Sequence, residues 1–137
     1  MNIVSNIIEK NKLAGSDEFT FIDLFAGIGG FHLALHNLGA KSVFASEIDE
    51  KARITYRANM IKFNPDLFEN GNFVGDIVPV DKSKIPTHDI LCGGCPCQPF
   101  SQAGYKRGFH EELDNRGNMF FEIVKIIKEK KPKAFFL

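Results

Sequence analysis

The run Phe19-Thr20-Phe21-Ile22-Asp23-Leu24-Phe25 is apolar and β-prone, and it stops abruptly on Ala26-Gly27-Ile28-Gly29-Gly30. Phe31-His32-Leu33-Ala34-Leu35-His36-Asn37-Leu38-Gly39 follows, with apolar residues at 31, 34, 35 and 38 and a glycine stop. The pattern is strand, glycine-rich turn, helix. Such a turn lets backbone amides and a helix N-terminus come close to a bound ligand. Its G-x-G-G spacing differs from the G-x-G-x-x-G of dinucleotide sites, so the turn by itself names no ligand.

Ser42 to Ser46 reads as a second strand, ended by Glu47-Ile48-Asp49. An acidic residue at the tip of the second strand of a βαβ unit is placed to accept from a ribose hydroxyl pair, so Glu47 points to a nucleoside-containing ligand. The plain alternative is a carboxylate at a helix start, a role Asp49 fills better as an N-cap. Ala52, Ile54, Thr55, Tyr56, Ala58 and Met60 populate the next helix, which ends near Asn64-Pro65. Asn72-Phe73-Val74 is a short strand before Gly75-Asp76-Ile77, and residues 78–87 read as connection. His88 to Cys92 is a fourth strand, residues 102–116 a polar loop, Gly117 to Lys130 a helix with the stripe Met119, Phe120, Ile123, Val124, Ile126 and Ile127, and Lys133 to Leu137 a fifth strand. Alternating strands and helices, with ligand-type residues at successive strand ends, predict an α/β fold with a doubly wound, mainly parallel sheet. In front of it, Ile3, Val4, Ile7 and Ile8 mark an amphipathic helix closed by Ala14-Gly15-Ser16-Asp17, which divides the chain into 1–18 and 19–137.

The fourth strand delivers Gly93-Gly94-Cys95-Pro96-Cys97-Gln98-Pro99-Phe100-Ser101. Neither a helix interior nor a buried strand accommodates both prolines, so Cys97 is expected on a stiffened loop at a strand's carboxyl end. A small buried hydrophobe is the ordinary role of an intracellular cysteine. A core position needs no Pro-Cys-Gln-Pro frame, and the frame favours a nucleophile.

The chain has 137 residues, of which 44% are hydrophobic and 25% charged, the proportions of one globular domain. Seventeen basic residues balance seventeen acidic ones, so no global charge announces a polyanion, and nucleic-acid binding by the chain alone is expected to be weak. Lys106, Arg107 and Arg116 cluster after the cysteine loop; Lys128, Lys130, Lys131 and Lys133 read as a solvated face. Three cysteines within six positions make no disulfide framework. No apolar run reaches membrane-spanning length and no signal-peptide pattern opens the chain, which predicts a cytoplasmic protein without membrane contact.

Asp23 to Gly30 together with Gly93 to Ser101 resembles the first and fourth motifs of the cytosine-C5 DNA methyltransferases. Glu47, Gly75-Asp76-Ile77, Asp114-Asn115-Arg116-Gly117 and Lys131-Pro132-Lys133 follow the family's order from residue 19 to 137. The resemblance implies a Rossmann-like fold that binds S-adenosylmethionine. Phe25 would stack on the adenine, Gly27 and Gly29 would admit the methionine part, and Glu47 would hold the ribose. Ile48 would line the adenine, Asp76 with Ile77 would meet its amino group, Pro96 would border the reactive centre, and Met119 would close the pocket. Cys97 would add to C6 of a cytosine flipped out of duplex DNA, a step that needs a soft nucleophile and an unstacked base. Ser101, Gln102, Arg107 and Arg116 would belong to the segment that closes on DNA. Cys95 departs from the family's usual Phe or Pro and is assigned to packing, as is Cys92.

The family's Glu-Asn-Val motif, with its catalytic acid, and the target recognition domain would follow Leu137. The resemblance therefore implies the N-terminal part of a catalytic domain, inactive alone, from a restriction-modification system. The alternatives are a cofactor-binding half that needs a second chain, or an RNA cytosine methyltransferase relative. A nicotinamide-dependent oxidoreductase would share the strand, turn and acid without needing the cysteine loop. A zinc module from Cys92, Cys95, Cys97 and His88 or His110 has no second ligand pair, and no metal is expected. The N-terminal helix, with its Asn-x-Val start, would be a lid on the cofactor site if the chain were circularly permuted.

Overall fold

The computed structural model describes residues 18–94 and 115–137, the side chains of 115–118 apart. Five strands, β1 (Thr20–Leu24), β2 (Lys41–Ser46), β3 (Phe73–Val74), β4 (Ile90–Gly93) and β5 (Ala134–Phe136), form one sheet in the order β3-β2-β1-β4-β5. All four pairings are parallel. The helices are α1 (Gly30–Asn37), α2 (Glu50–Met60), α3 (Pro65–Glu69) and α4 (Asn115–Lys130), with a 3₁₀ turn at Lys82–Lys84. The chain leaves β1 in one direction through β2 and β3, then crosses to β4 and β5 on the other side. The strand order therefore reverses between β1 and β4, the place where open α/β sheets leave a crevice.

Alternation along β1 explains both layers. Ile22 and Leu24 enter a cluster with Phe44, Ile77, Ile85, Leu91, Ile123 and Ile126, so α4 covers that face. Phe21 and Asp23 point the other way, where Ala45, Tyr56, Met60, Leu67 and Phe68 form a second cluster beneath α2 and α3. Each such buried side chain contributes about 1.5–3 kcal/mol of transfer free energy. The doubly wound, parallel reading holds, and the Asp49 cap is in place, its Oδ1 accepting from Ala52 N at 2.7 Å. Cys92 is a buried strand residue.

Several local expectations need correction. Of the expected apolar face, Phe31, Ala34 and Leu38 are exposed and Leu35 is half-buried, and the residue of α1 that turns inward is His32. Its Nδ1 lies 2.6 Å from the Tyr56 hydroxyl and its ring meets Phe21 edge-on, so tertiary pairing rather than apolar count sets the rotation of α1. Pro65 starts α3 at its first turn, where a missing N–H costs nothing. The 78–87 connection holds the 3₁₀ turn, capped by Asp81. α4 begins at Asn115, inside the expected 102–116 loop. Of the terminal lysines, Lys128, Lys131 and Lys133 are exposed, Lys133 pairing with Asp89 at 2.8 Å, and Lys130 is half-buried and donates to Ser83 O at 2.7 Å. Among the described residues no helix is long and apolar enough to cross a membrane.

Candidate functional site

The crevice is built where β1, β2, β3 and β4 end. After Leu24 the chain turns sharply: Phe25 is left-handed at φ 55°, as is Gly27 at 56°. A non-glycine residue in that region stores strain of about 1–2 kcal/mol, which the turn's other contacts must hold. Ala26 N donates to Ser46 O and Gly29 N to Ala26 O, each at 2.9 Å. The two glycines differ. A side chain on Gly27 would meet nothing within 4 Å, so this part of the turn faces open space, whereas one on Gly29 would run into Met60 and Tyr56. Gly29 thus keeps α2 close; Gly27 leaves the mouth clear.

Glu47, at the tip of β2, crosses to this turn. Its Oε2 accepts from Gly27 N at 2.7 Å and its Oε1 from Asp49 N at 2.8 Å. Each oxygen keeps a second lone pair for an incoming hydroxyl. Ile48 beside it is 72% exposed, an apolar side chain in water next to a fixed carboxylate. At the end of β3, Asp76 is exposed and its Oδ1 accepts from Val78 N at 2.9 Å. Ile77 is buried in the α4-side core. Phe25 and Met119 both flank that same core cluster from its rim.

Two charged groups here escaped the sequence reading. Arg53 of α2 lies against Gly75, where a Cβ would collide with its guanidinium. Asp23 is fully buried under the turn, and neither carboxylate oxygen has a completed hydrogen bond. Burial pushes its pKa up to about 7; the nearby His32 amide offsets part of this and the Glu47 charge adds to it. Burial, then the Asp23 charge, pushes the Cys92 thiol up to about 12, so Cys92 is no nucleophile. A polar residue on a buried strand was the available signal for Asp23. No sequence signal placed Arg53.

Cys97, Cys95, Pro96, Ser101, Gln102, Arg107, His110 and the N-terminal helix lie outside the described residues, as does the side chain of Arg116. β4 runs parallel to β1 and ends with Gly93 opposite Leu24, at the crevice. Among the described residues no three His, Cys, Asp or Glu side chains gather as metal ligands. A cavity of about 190 Å³ bordered by His36, Lys41, Phe63 and Asp66 lies at the amino ends of the strands, away from these carboxylates.

A doubly wound parallel sheet with acidic residues at the exits of β2 and β3 is the architecture of a Rossmann-like methyltransferase. Solved structures agree at the level of fold. A precorrin-6y C5,15-methyltransferase from Geobacter metallireducens superposes with a TM-score of 0.51 at 18% identity, over 93% of this chain and 55% of that one. A putative methyltransferase from Thermoplasma acidophilum gives 0.50 at 19%, over 88% and 44%. Residues 19–137 match the family model for C-5 cytosine-specific DNA methylase, and the chain belongs to that family. It is 54% identical over 121 residues to the type II methyltransferase M1.ScrFI of Lactococcus lactis subsp. cremoris, 88% of this chain and 28% of that protein. It is 47% identical over 130 residues to M.HhaI of Haemophilus parahaemolyticus, 95% and 35% respectively. The chain thus spans about a third of the length of the relatives it matches.

Proposed function

We propose that this chain supplies the S-adenosylmethionine site and the nucleophile of a DNA cytosine-C5 methyltransferase of a restriction-modification system. The observation that carries the reading is the Glu47 carboxylate, locked between Gly27 N and Asp49 N at the rim of an open turn. The donor set fits the cofactor: Glu47 for a ribose diol, Asp76 for an exocyclic amine, Ile48 and Phe25 for an adenine face, and the clear space over Gly27 for the methionine chain. Gly29 and Pro96 shape the two walls, and Met119 with the Ile77 main chain closes the core side. When bound, the cofactor supplies an electrophilic methyl group on a sulfonium.

The chain's own residues do the rest. Cys97, as thiolate, adds to C6 of a flipped cytosine, which breaks the ring's conjugation and makes C5 nucleophilic. Ser101, Gln102, Arg107 and Arg116 contact duplex DNA as this segment closes, and phosphate contacts from the two arginines make binding salt-dependent. The chain spans about a third of its relatives' length, and methyl transfer also needs a catalytic acid at the cytosine and a target recognition region, whether on the same polypeptide or on a second one. The enzyme works in the cytoplasm, where the DNA is.

Calorimetric titration with S-adenosylmethionine tests this. Glu47→Ala should weaken binding by about 1–3 kcal/mol, since ribose hydroxyls lose a charged acceptor in a partly buried site. A wild-type chain that fails to bind, or a folded Glu47→Ala chain with unchanged affinity, overturns the reading.

A further inference from the structure

The loop that carries Asp76 is wrapped around a cation that no motif identifies. Lys82 is only 13% exposed at its side chain. Its Nζ donates to Ile77 O at 2.5 Å and Val80 O at 2.9 Å, with Val78 O further off at 3.3 Å. The same ammonium lies 2.7 Å from Glu122 Oε2 of α4. Glu122 sits on the inward stripe of α4, and its other oxygen accepts from exposed Lys125 at 2.7 Å. Burial would favour the neutral acid, but Lys125 and Lys82 together hold Glu122 below the usual carboxylate range. So one buried ion pair turns carbonyls 77, 78 and 80 inward.

This fixes what the loop shows the crevice. With its carbonyls bound to Lys82, the stretch presents the exposed Asp76 carboxylate outward. The Asp76–Val78 hydrogen bond is the start of that same turn. The 3₁₀ segment holding Lys82 is pinned again to α4 through Lys130 on Ser83 O. We infer that Lys82, neutralised by Glu122, is a positioning residue that aims Asp76 at the exocyclic amine of the cofactor's adenine, and so sets the site's choice of nucleobase. The inference rests on the cofactor reading above and deepens it.

Removing one partner of a buried pair strands the other, so loss of either should loosen the loop rather than merely lower stability. The test compares S-adenosylhomocysteine with S-inosylhomocysteine, which carries a carbonyl where the amine was. The wild-type chain is expected to prefer the adenine ligand by roughly tenfold, the size of one well-placed hydrogen bond to a charged group. Lys82→Met keeps the aliphatic stem and should bring the two ligands to nearly equal affinity by weakening the adenine one. Lys82→Arg should restore part of the preference. Glu122→Gln, which leaves the ammonium in place without its counter-charge, should give an intermediate preference and serves if Lys82→Met does not fold. A general loss of structure would weaken both ligands alike. Wild-type preference retained in folded Lys82→Met or Glu122→Gln, or equal weakening of both ligands, overturns the positioning role, as does a wild-type chain that binds both ligands equally. A wild-type chain that binds neither overturns the cofactor reading instead.

Discussion

Asp23→Asn should give stability a pH dependence between about pH 4 and 6.5 that the wild-type buried face lacks. Asp23 titrates near 3.8 in an unfolded chain and near 7 in the folded one. The folded state therefore keeps a proton that the unfolded state has lost. Its contribution is fully present below about pH 4 and is lost as pH rises through about 7. The interval is a little over three decades, or about 4 kcal/mol at 1.36 kcal/mol per decade. His32 opposes it: burial lowers its pKa from 6.5 to about 4, so its contribution is present above 6.5 and lost as pH falls through 4, roughly 3 kcal/mol in all. The two cancel between about pH 4 and 6.5, and the wild-type chain should show little slope there from this face. Two neighbours of Asp23 do not titrate in that window: the Cys92 thiol is held at about 12, and the Tyr56 hydroxyl is pushed above its usual range. The Glu47 charge contributes to the Asp23 shift.

In Asp23→Asn the His32 slope stands alone, and stability should rise from pH 4 to 6.5. The difference between variant and wild type should move toward the variant by up to about 4 kcal/mol between pH 4 and 8. Urea unfolding followed by circular dichroism at four or five pH values measures it, and contributions shared by both proteins drop out of the difference. A difference that does not change with pH would refute a neutral, buried Asp23.

Alanine at the two turn glycines should separate their roles. Gly29→Ala, where the Cβ would collide with Met60 and Tyr56 at φ 98°, should cost about 2–4 kcal/mol by thermal unfolding, and Gly27→Ala, strained but with free space, only about 1–2; equal losses would mean that Gly29 is not a packing residue. In an active complex with a complementary chain, Cys97→Ser should abolish methyl transfer to DNA while Cys95→Ser largely preserves it, and the reverse pattern would reassign the nucleophile.

The parts of this protein that are legible in its sequence are those governed by local chemistry. Five strands, the glycine turn, the Asp49 cap and the carboxylates at the exits of β2 and β3 all follow from short-range pattern and propensity. The errors fall where tertiary contacts override it. The expected stripe of Phe31, Ala34, Leu35 and Leu38 leaves Phe31, Ala34 and Leu38 exposed, and α1 turns His32 inward, because a hydrogen bond to Tyr56 and an edge contact with Phe21 outweigh it. Glu122 lies on the apolar stripe of α4, a position that requires a cationic partner. That partner is Lys82, forty residues earlier, and no spacing rule links them. Cys97 is read as a nucleophile from its Pro-Cys-Gln-Pro frame, a signal of composition rather than of period, and it lies outside the described residues.

Charge at the crevice separates a sulfonium ligand from a dinucleotide, which the strand and turn pattern alone could not. Asp23, Glu47 and Asp76 stand at or just below the exits of β1, β2 and β3, and the turn from Phe25 to Gly30 carries no basic side chain. Arg53 over Gly75 is the cation placed among them. A nicotinamide dinucleotide would bring a doubly charged pyrophosphate to Gly27. There the Glu47 carboxylate already holds the amide a phosphate would need, and at a separation near 4 Å each like-charge contact costs about 1 kcal/mol in water and several times more in a partly buried site. S-adenosylmethionine, with a sulfonium, an ammonium and a single carboxylate, brings a net positive charge against the same carboxylates. Its entry would favour the ionised form of Asp23, so binding should release protons near pH 7 from a group that never touches the ligand. The same buried carboxylate that costs stability at neutral pH thus favours a cationic cofactor, which accounts for an unpaired acid at the centre of a parallel sheet.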